Sequence, residues 1–494
     1  MARRVSEGRV KRSSFWLKGL FSKNSLTGWI WGGGLMGALL IIFVFSPYST
    51  VEKSNQLPMI FLIGLVTLFI LAYLGRFSSQ FLTHKFLFLF FIIFISTAFM
   101  GKTTILLDSV SNYFIPIAFL AILLSLLFST FLAIFSATLL SVLFVFASGN
   151  LRILPVLVLA SMVGGFFAPS TCQRTDLTKS GLYVGLFSGL FILSVELGKG
   201  APFMELSREV FWGVAGGLFS GVLATILLPY LETYFGVTTN IKLLELTDLN
   251  HPLLKRLALE APGTFHHTTT VSTLAVVAAE SIGANSLLAQ VGVYYHDVGK
   301  LSRPHFFYEN SPSEEGDYHR SVTPHLSSRI IISHVADGLE LAGIYRLPKA
   351  VMDIIAQHHG TGLMAYFYRK ALWQSSGVKE KVNKESFRYP GPKPSSKESA
   401  IVMLADSVEA GFRFSPSKSH QATVNQVERI IDNKIKDGQL DKCDLTMKEL
   451  NKLRDAFTRV LTGIIHSRGR YPDEMLKPRP FGLKIETRRK VVIY

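Results

Sequence analysis

At 494 residues, with 49% hydrophobic residues, 17% charged residues and a formal net charge of +16, the chain has a composition that no single soluble globular domain of ordinary make-up combines. Its two cysteines, Cys172 and Cys443, exclude a disulfide framework and thiolate metal sites, which need several cysteines together. Apolar residues concentrate before about Pro229, whereas nearly all the histidine and most of the charge follow it. A membrane part followed by a soluble part is therefore expected, and any metal must be held by histidine and carboxylate.

In chain order, residues 1–28 form a basic N-terminal segment, and the apolar stretch Trp29 to Phe45 follows. No small-residue cleavage site comes after it, so it reads as an uncleaved first span with the N-terminus in the cytosol. Further uncharged runs of membrane-crossing length cover roughly 58–75, 86–101, 113–128, 131–147, 152–168, 180–197 and 209–230. The stretch from Asn112 to Asn150 is too long for one crossing and fits two joined by a tight turn near Ser129. Residues 29–230 thus read as a membrane domain of about eight transmembrane helices, and an even count returns the chain to the cytosol. Loop charges divide between the two sides, so the basic N-terminus carries most of the orientation. Glu196 is the one carboxylate close to the apolar region, which is poor support for a transporter.

Residues 231–262, with charges and the break at Pro252, read as a juxtamembrane connector, and a soluble, mostly helical domain follows. Five helices are predicted there. "FHHTTTVSTLAVVAAESIG" has His267, Val271, Leu274 and Ala278 at helical spacing and ends at Gly283. "NSLLAQVGVYYHDVG" brings His296 along one side and ends near Gly299; "SSRIIISHVADG" carries His334 and stops at Gly338. "PKAVMDIIAQHHG" spaces Ile354, Ile355, His358 and His359 and stops at Gly360, and "SSKESAIVMLADSVEAG" carries Asp406 and Glu409 before Gly411. In each, a His or Asp continues an apolar stripe. A stripe faces the core, and its polar members must find partners there. One shared site built by His267, His296, Asp297, His334, His358, His359 and Asp406 is the economical reading.

Five imidazoles and two carboxylates exceed the three or four protein ligands of a single ion, so two metals are expected. A nitrogen and oxygen ligand set suits iron, manganese or zinc without separating them. Asp297, beside His296, is the natural bridging carboxylate, and a hydroxide between the ions would be the nucleophile. Such a pair suits in-line cleavage of a phosphodiester. Lys300, one turn after Asp297, is placed to supply a cation to the phosphate.

The motif "HDVGK", with "HH" upstream and an Asp downstream, resembles the HD superfamily of metal-dependent phosphohydrolases. The longer run "APGTFHHTTTV", "GANSLLAQVGVYYHDVGKLSRPHFFYEN", "SSRIIISHVADG", "IIAQHHGT" and "FRYPGPKPSSKESAIVMLADSVEA", behind a multi-span membrane domain, resembles the seven-transmembrane HD-domain proteins that hydrolyse cyclic di-AMP. The resemblance implies an all-α protein: a polytopic helical membrane bundle and then a cytosolic all-helical HD domain, with the HD core at 263–415 and a helical extension and basic tail at 416–494. It implies a bimetal site, di-iron or di-manganese, on the seven residues named above, with Asp297 and Lys300 catalytic. It places Lys300 on a substrate phosphate and Arg303, Phe306, Phe307 and Asn310 around the nucleotide. It also implies a cyclic dinucleotide as substrate, opened to linear pApA, in a multi-pass protein of the cell's inner (plasma) membrane, with a homo-oligomer left open. Members usually carry a large extracytoplasmic domain after the first span, where "SPYSTVEKSNQLP" stands here, so external sensing by such a domain is not expected.

Glu409 is expected either to orient a ligand histidine or to form a surface ion pair. The stretch 366–396, basic and Pro-rich, reads as a pocket cover or a solvated flap. The two amphipathic helices of the extension are expected to pack on the catalytic core. The basic end "KPRPFGLKIETRRKVVIY" fits anionic lipid headgroups. No aromatic-basic module accompanies the charge, so no nucleic-acid polymer is expected as a partner. The rival functions are an HD hydrolase of cyclic di-GMP or a nucleotide phosphate, and a membrane receptor that binds nucleotide without turnover.

Overall fold

The computed structural model describes residues 23–45, 56–77, 83–311, 318–375, 382–415 and 419–467. The basic N-terminal residues 1–22 and the C-terminal basic end lie outside these. Among the described residues the protein is all-helical, as the sequence predicts, with one isolated antiparallel bridge between Leu363 and Arg388. The chain divides into two compact units, residues 1–249 with Pro348–Ala350, and Asn250–Leu347 with Val351–Tyr494.

In the first unit six helices are long and apolar enough to cross a membrane, and two further apolar helices, Ile30–Phe43 and Asn112–Leu127, are shorter. This is a membrane protein. Its helices are α1 (Lys23–Phe43), α2 (Gln56–Phe77), α3 (His84–Leu106), α4 (Ile117–Leu127), α5 (Thr130–Ser148), α6 (Ile153–Phe167), α7 (Arg174–Gly198) and α8 (Phe203–Phe235). The break expected near Ser129 separates α4 from α5, and the Ser129 hydroxyl caps α5 by accepting from the Leu132 amide at 3.3 Å. Along α7 and α8 the glycines explain a backbone-to-backbone contact. A Cβ at Gly181 would stand 2.7 Å from the Gly217 carbonyl oxygen, and one at Gly217 would stand 2.3 Å from the Gly185 nitrogen. The buried Glu196 carboxylate is paired: it accepts from Lys199 and from the Tyr113 hydroxyl.

α8 runs beyond the expected end of its span, through Pro229 to Phe235, and stops at Gly236, whose φ of +57° supplies the left-handed cap. The connector then folds into α9 (Asn240–Leu246). Arg174 at the start of α7 holds it there. Its guanidinium grips both oxygens of Glu245 at 2.6 and 3.0 Å and reaches Glu232 of α8 at 3.0 Å.

The second unit comprises α10 (Pro252–Glu260), α11 (Pro262–Ile282), α12 (Ser286–His296), α13 (Pro324–Ile344), all but the first two residues of α14 (Lys349–Gln357), α15 (Ala365–Gln374), α16 (Lys397–Arg413), α17 (His420–Lys436) and α18 (Met447–Ser467). One apolar cluster joins Val271 and Leu274 of α11, Val293 of α12, Ile354 of α14 and Val402 and Val408 of α16. Val427 and Ile431 of α17 and Leu453 and Phe457 of α18 belong to the same cluster. The extension therefore packs into the core, as its amphipathic pattern indicates.

Two expected helix stops are corrected. α13 passes through Gly338 and ends at Ile344, and α16 passes through Gly411 and ends at Arg413. Gly338 serves close approach instead of termination. The turn after His296-Asp297 packs on α13 so tightly that a Cβ at Gly299 would lie 1.8 Å from the His334 carbonyl oxygen and 2.4 Å from the Gly338 nitrogen. No side chain fits at 299, and that contact sets the distance between Asp297 and His334. Gly283 and Gly360, with φ of +71° and +53°, do act as the punctuation expected of them.

Candidate metal centre

The seven residues that the stripes single out meet in one place in the second unit. Their ligand atoms fall into two groups, each within 4.8 Å: Asp297, His334, His358 and His359, and His267, His296 and Asp406. His267, His296, His334 and Asp406 stand on α11, α12, α13 and α16. Asp297, His358 and His359 lie just past the ends of α12 and α14, so the stripes reach one or two residues beyond the helices. Asp297 stands between the groups. Its Oδ1 lies 3.4 Å from His334 Nε2 and 3.8 Å from His358 Nε2, and its Oδ2 lies 3.1 Å from His296 Nε2 and 3.7 Å from His267 Nε2.

Backbone geometry sets the imidazoles. The Nδ1–H groups of His296, His334 and His358 donate to the carbonyls of Val293, Ile331 and Ile355 at 2.7, 2.6 and 2.8 Å, each one turn earlier. That leaves every Nε2 as a lone pair aimed inward. His267 has a different anchor. Its Nδ1 donates to Glu409 at 2.8 Å, while Arg413 holds Glu409 by a two-oxygen grip at 2.8 and 2.9 Å. Glu409 is thus an orienting group for a histidine of the site, the first of the two roles open to it.

Whether these residues fit divalent ions is tested by what is left unsatisfied. The Nε2 atoms of His334 and His358 face each other at 3.2 Å, two acceptors with no donor between them. Buried His296 Nε2 and Asp297 Oδ1 have no hydrogen-bond partner among the described residues. Converging lone pairs in a buried site are costly alone, and a cation relieves the cost. Burial penalises the imidazolium of His358, and His296 and His334 add to it, pushing its pKa down to about 3. Burial, with His358 and His334 beside it, holds His359 well below the ordinary value, and burial lowers His334. These rings are therefore neutral, as ligands must be. For Asp297 burial works against ionisation, but the neighbouring His296 and Lys300 outweigh it and hold the carboxyl well below its usual range. The donor set fits divalent cations.

Around this centre the remaining candidates find partners of their own. Lys300 Nζ lies 2.8 Å from Asp297 Oδ2 and 2.6 Å from Glu309, over the Phe307 ring at 5.1 Å. Phe307 is buried with its ring edge toward His334. Arg303, half exposed, binds Ser333 and Asp337 at 2.9 and 3.2 Å. Phe306 packs on Tyr318 and His319. Asn310 is occupied as a clasp: its oxygen accepts from the Thr264 amide at 3.0 Å and its nitrogen donates to the Thr264 hydroxyl at 2.9 Å. Of the substrate candidates, Lys300 and Phe307 border the metal-ligand cluster.

Three contributors carry no sequence signal strong enough to single them out. Glu309 neutralises Lys300, Arg413 fixes Glu409, and Tyr389 lays its ring on His359 with centroids 4.3 Å apart. Tyr389 comes from the 366–396 stretch, which returns to the site because the Tyr389 amide donates to the Gly362 carbonyl at 3.0 Å. Tyr389 is thus part of the wall.

The chain is similar to several known proteins. The family described as "7TM receptor with intracellular HD hydrolase" matches residues 56–239, and the HD domain family matches 264–411. The cyclic-di-AMP phosphodiesterase PgpH of Bacillus subtilis is 39% identical over 375 residues, covering 74% of this chain and 52% of that protein. PgpH of Listeria monocytogenes is 34% identical over 441 residues, 88% of this chain and 57% of that protein. The chain thus spans about half the length of the curated relatives it matches. A crystal structure of the L. monocytogenes PgpH HD domain in complex with cyclic-di-AMP is 43% identical and covers 44% of this chain and 98% of its own, with a TM-score of 0.42.

Proposed function

This chain belongs to the HD superfamily, and from that membership together with the geometry of the site we propose that it is a membrane-anchored, metal-dependent phosphodiesterase that opens cyclic di-AMP to linear pApA. The observation that carries the reading is the pair of ligand groups with one oxygen of Asp297 turned toward each. Two divalent ions held there, iron or manganese, would make a water nucleophilic at neutral pH and polarise a phosphoryl oxygen. His334, His358 and His359 would hold one ion, His267, His296 and Asp406 the other, and Asp297 both.

The other side chains prepare the site. Glu409 and Arg413 lock the His267 ring, and the i−3 carbonyls lock three more, so no imidazole has to reorient when substrate arrives. Lys300 balances the charge of Asp297 and would meet a substrate phosphate there. The substrate reading draws on the two PgpH relatives, which are cyclic-di-AMP phosphodiesterases. The basic segment before α1 supports a cytosolic N-terminus and, with an even number of crossings, a cytosolic soluble unit in the inner membrane.

The test is an assay of the full chain in nanodiscs against cyclic di-AMP, cyclic di-GMP and nucleoside triphosphates, with metal content measured on the same sample. Two equivalents of metal and preferential release of pApA are expected. Preference for another nucleotide replaces the substrate, and saturable cyclic di-AMP binding without product replaces the enzyme by a receptor.

A further inference from the structure

The cations around the metal centre differ in one respect, which is whether a carboxylate already neutralises them. Lys300 lies between Asp297 and Glu309, Arg303 pairs with Asp337, Arg413 with Glu409 and Arg388 with Asp437. Lys434 does not follow this pattern. Its ammonium has no hydrogen-bond or ion-pair partner among the described residues, and its side chain is partly buried. Nζ rests over Gly362, where an added Cβ would lie 3.8 Å from it and 3.0 Å from the His359 carbonyl oxygen. Gly362 in turn accepts from the amide of Tyr389, the residue stacked on His359.

The placement is held from several sides. Lys434 lies in the last turn of α17, in the extension beyond the HD match. Just after that turn, Gln439 accepts from the Thr361 amide at 2.8 Å, and Asp437 takes both arms of Arg388 at 2.8 and 3.0 Å. These bonds tie the end of α17 to the His359–Gly362 turn. The ammonium is thus carried to the rim of the metal centre by a rigid element and left without a counter-ion there. Burial pushes its pKa below the ordinary lysine value, with Asp406 and Asp437 pulling the other way.

We propose that Lys434 binds the second phosphate of the substrate, the one not being cut, and so selects a substrate with two phosphodiesters. The inference rests on the phosphodiesterase reading above. A cyclic dinucleotide places only one phosphodiester on the metal ligands at a time, and the other brings a negative charge to the rim. Of these five cations, Lys434 is the one that does not first have to leave a carboxylate to meet it. One charge-assisted contact of this kind is gained on binding and kept through the reaction.

The experiment compares the metal-loaded full chain with Lys434→Met and Lys434→Arg, using cyclic di-AMP and bis(p-nitrophenyl) phosphate, a diester with a single phosphate. Lys434→Met is expected to raise KM for cyclic di-AMP about tenfold at nearly unchanged kcat, and to lower the preference for cyclic di-AMP over the small diester by the same factor. Lys434→Arg is expected to restore most of it. An unaltered KM in Lys434→Met overturns the inference alone. Equal losses on both substrates also overturn it, because they mark a structural role. A wild-type chain that cuts the small diester but no cyclic dinucleotide overturns the substrate reading, and this inference with it.

Discussion

The membrane unit and the soluble unit both bury charge, and they treat it in opposite ways. In the first, the Glu196 carboxylate and the Arg174 guanidinium each meet an opposite charge. Glu196 meets Lys199 and Tyr113, and Arg174 is shared by Glu232 and Glu245. In the second, three imidazole lone pairs and a carboxylate oxygen converge with nothing to satisfy them. Closed charge holds helices in place at the cost of desolvation. Converging lone pairs are costly unless a cation completes them, so the cluster in the second unit is the candidate functional site.

The difference can be broken most severely at Asp297, the residue both ligand groups share. Asp297→Ala is expected to lose both metal and hydrolysis to the limit of detection while the protein still inserts in membranes; elemental analysis and a pApA assay check it. Retained activity would sink the mechanism. A smaller effect is expected at Glu409, which acts through His267. Glu409→Gln should weaken metal affinity about 10–100-fold, as removal of an orienting carboxylate does. Competitive chelation measures it, with an undisturbed affinity arguing against the role.

Acid sharpens the comparison next. His334, His358 and His359 lie below the ordinary histidine value, so in the metal-stripped protein the unfolded chain takes up protons that the folded one refuses. Their contribution is present above the unfolded value of about 6.5 and is lost as pH falls toward 3. His267 has the opposite sign. Burial lowers its pKa, but Asp406 and Glu409 outweigh it and hold it up to about 9, so its contribution is full below about 6.5 and disappears as pH rises through 9. Three groups against one predict that the melting temperature of the stripped soluble unit falls between pH 7 and 5, and bound metal should abolish most of the fall. The smallest effect belongs to the closed network. Arg174→Gln should cost about 1–3 kcal/mol of membrane-unit stability in a thermal melt, with metal content unchanged.

Much of this was legible locally. The stripes identify His267, His296, His334 and Asp406 because a helix repeats every 3.6 residues and its buried face can be counted from the chain alone. The break at Ser129 and the cap at Gly283 are equally local. Gly338 misled because the same residue serves two purposes, and only the packing of α13 on the turn at Gly299 separates a helix stop from a close approach.

What the sequence by itself determined is the division into an apolar and a polar half, the helical class and the chemical identity of the ligand set, since composition and periodicity depend on near neighbours. The tertiary structure decided how the seven candidate ligands divide into two groups around Asp297. It also decided that Glu309 occupies Lys300, that Tyr389 covers His359, and that Lys434 stands unneutralised at the rim. Those residues come from loops and helix ends far apart in the chain. Their meeting depends on how the helices pack, and the periodicity of any one helix carries no record of its neighbours.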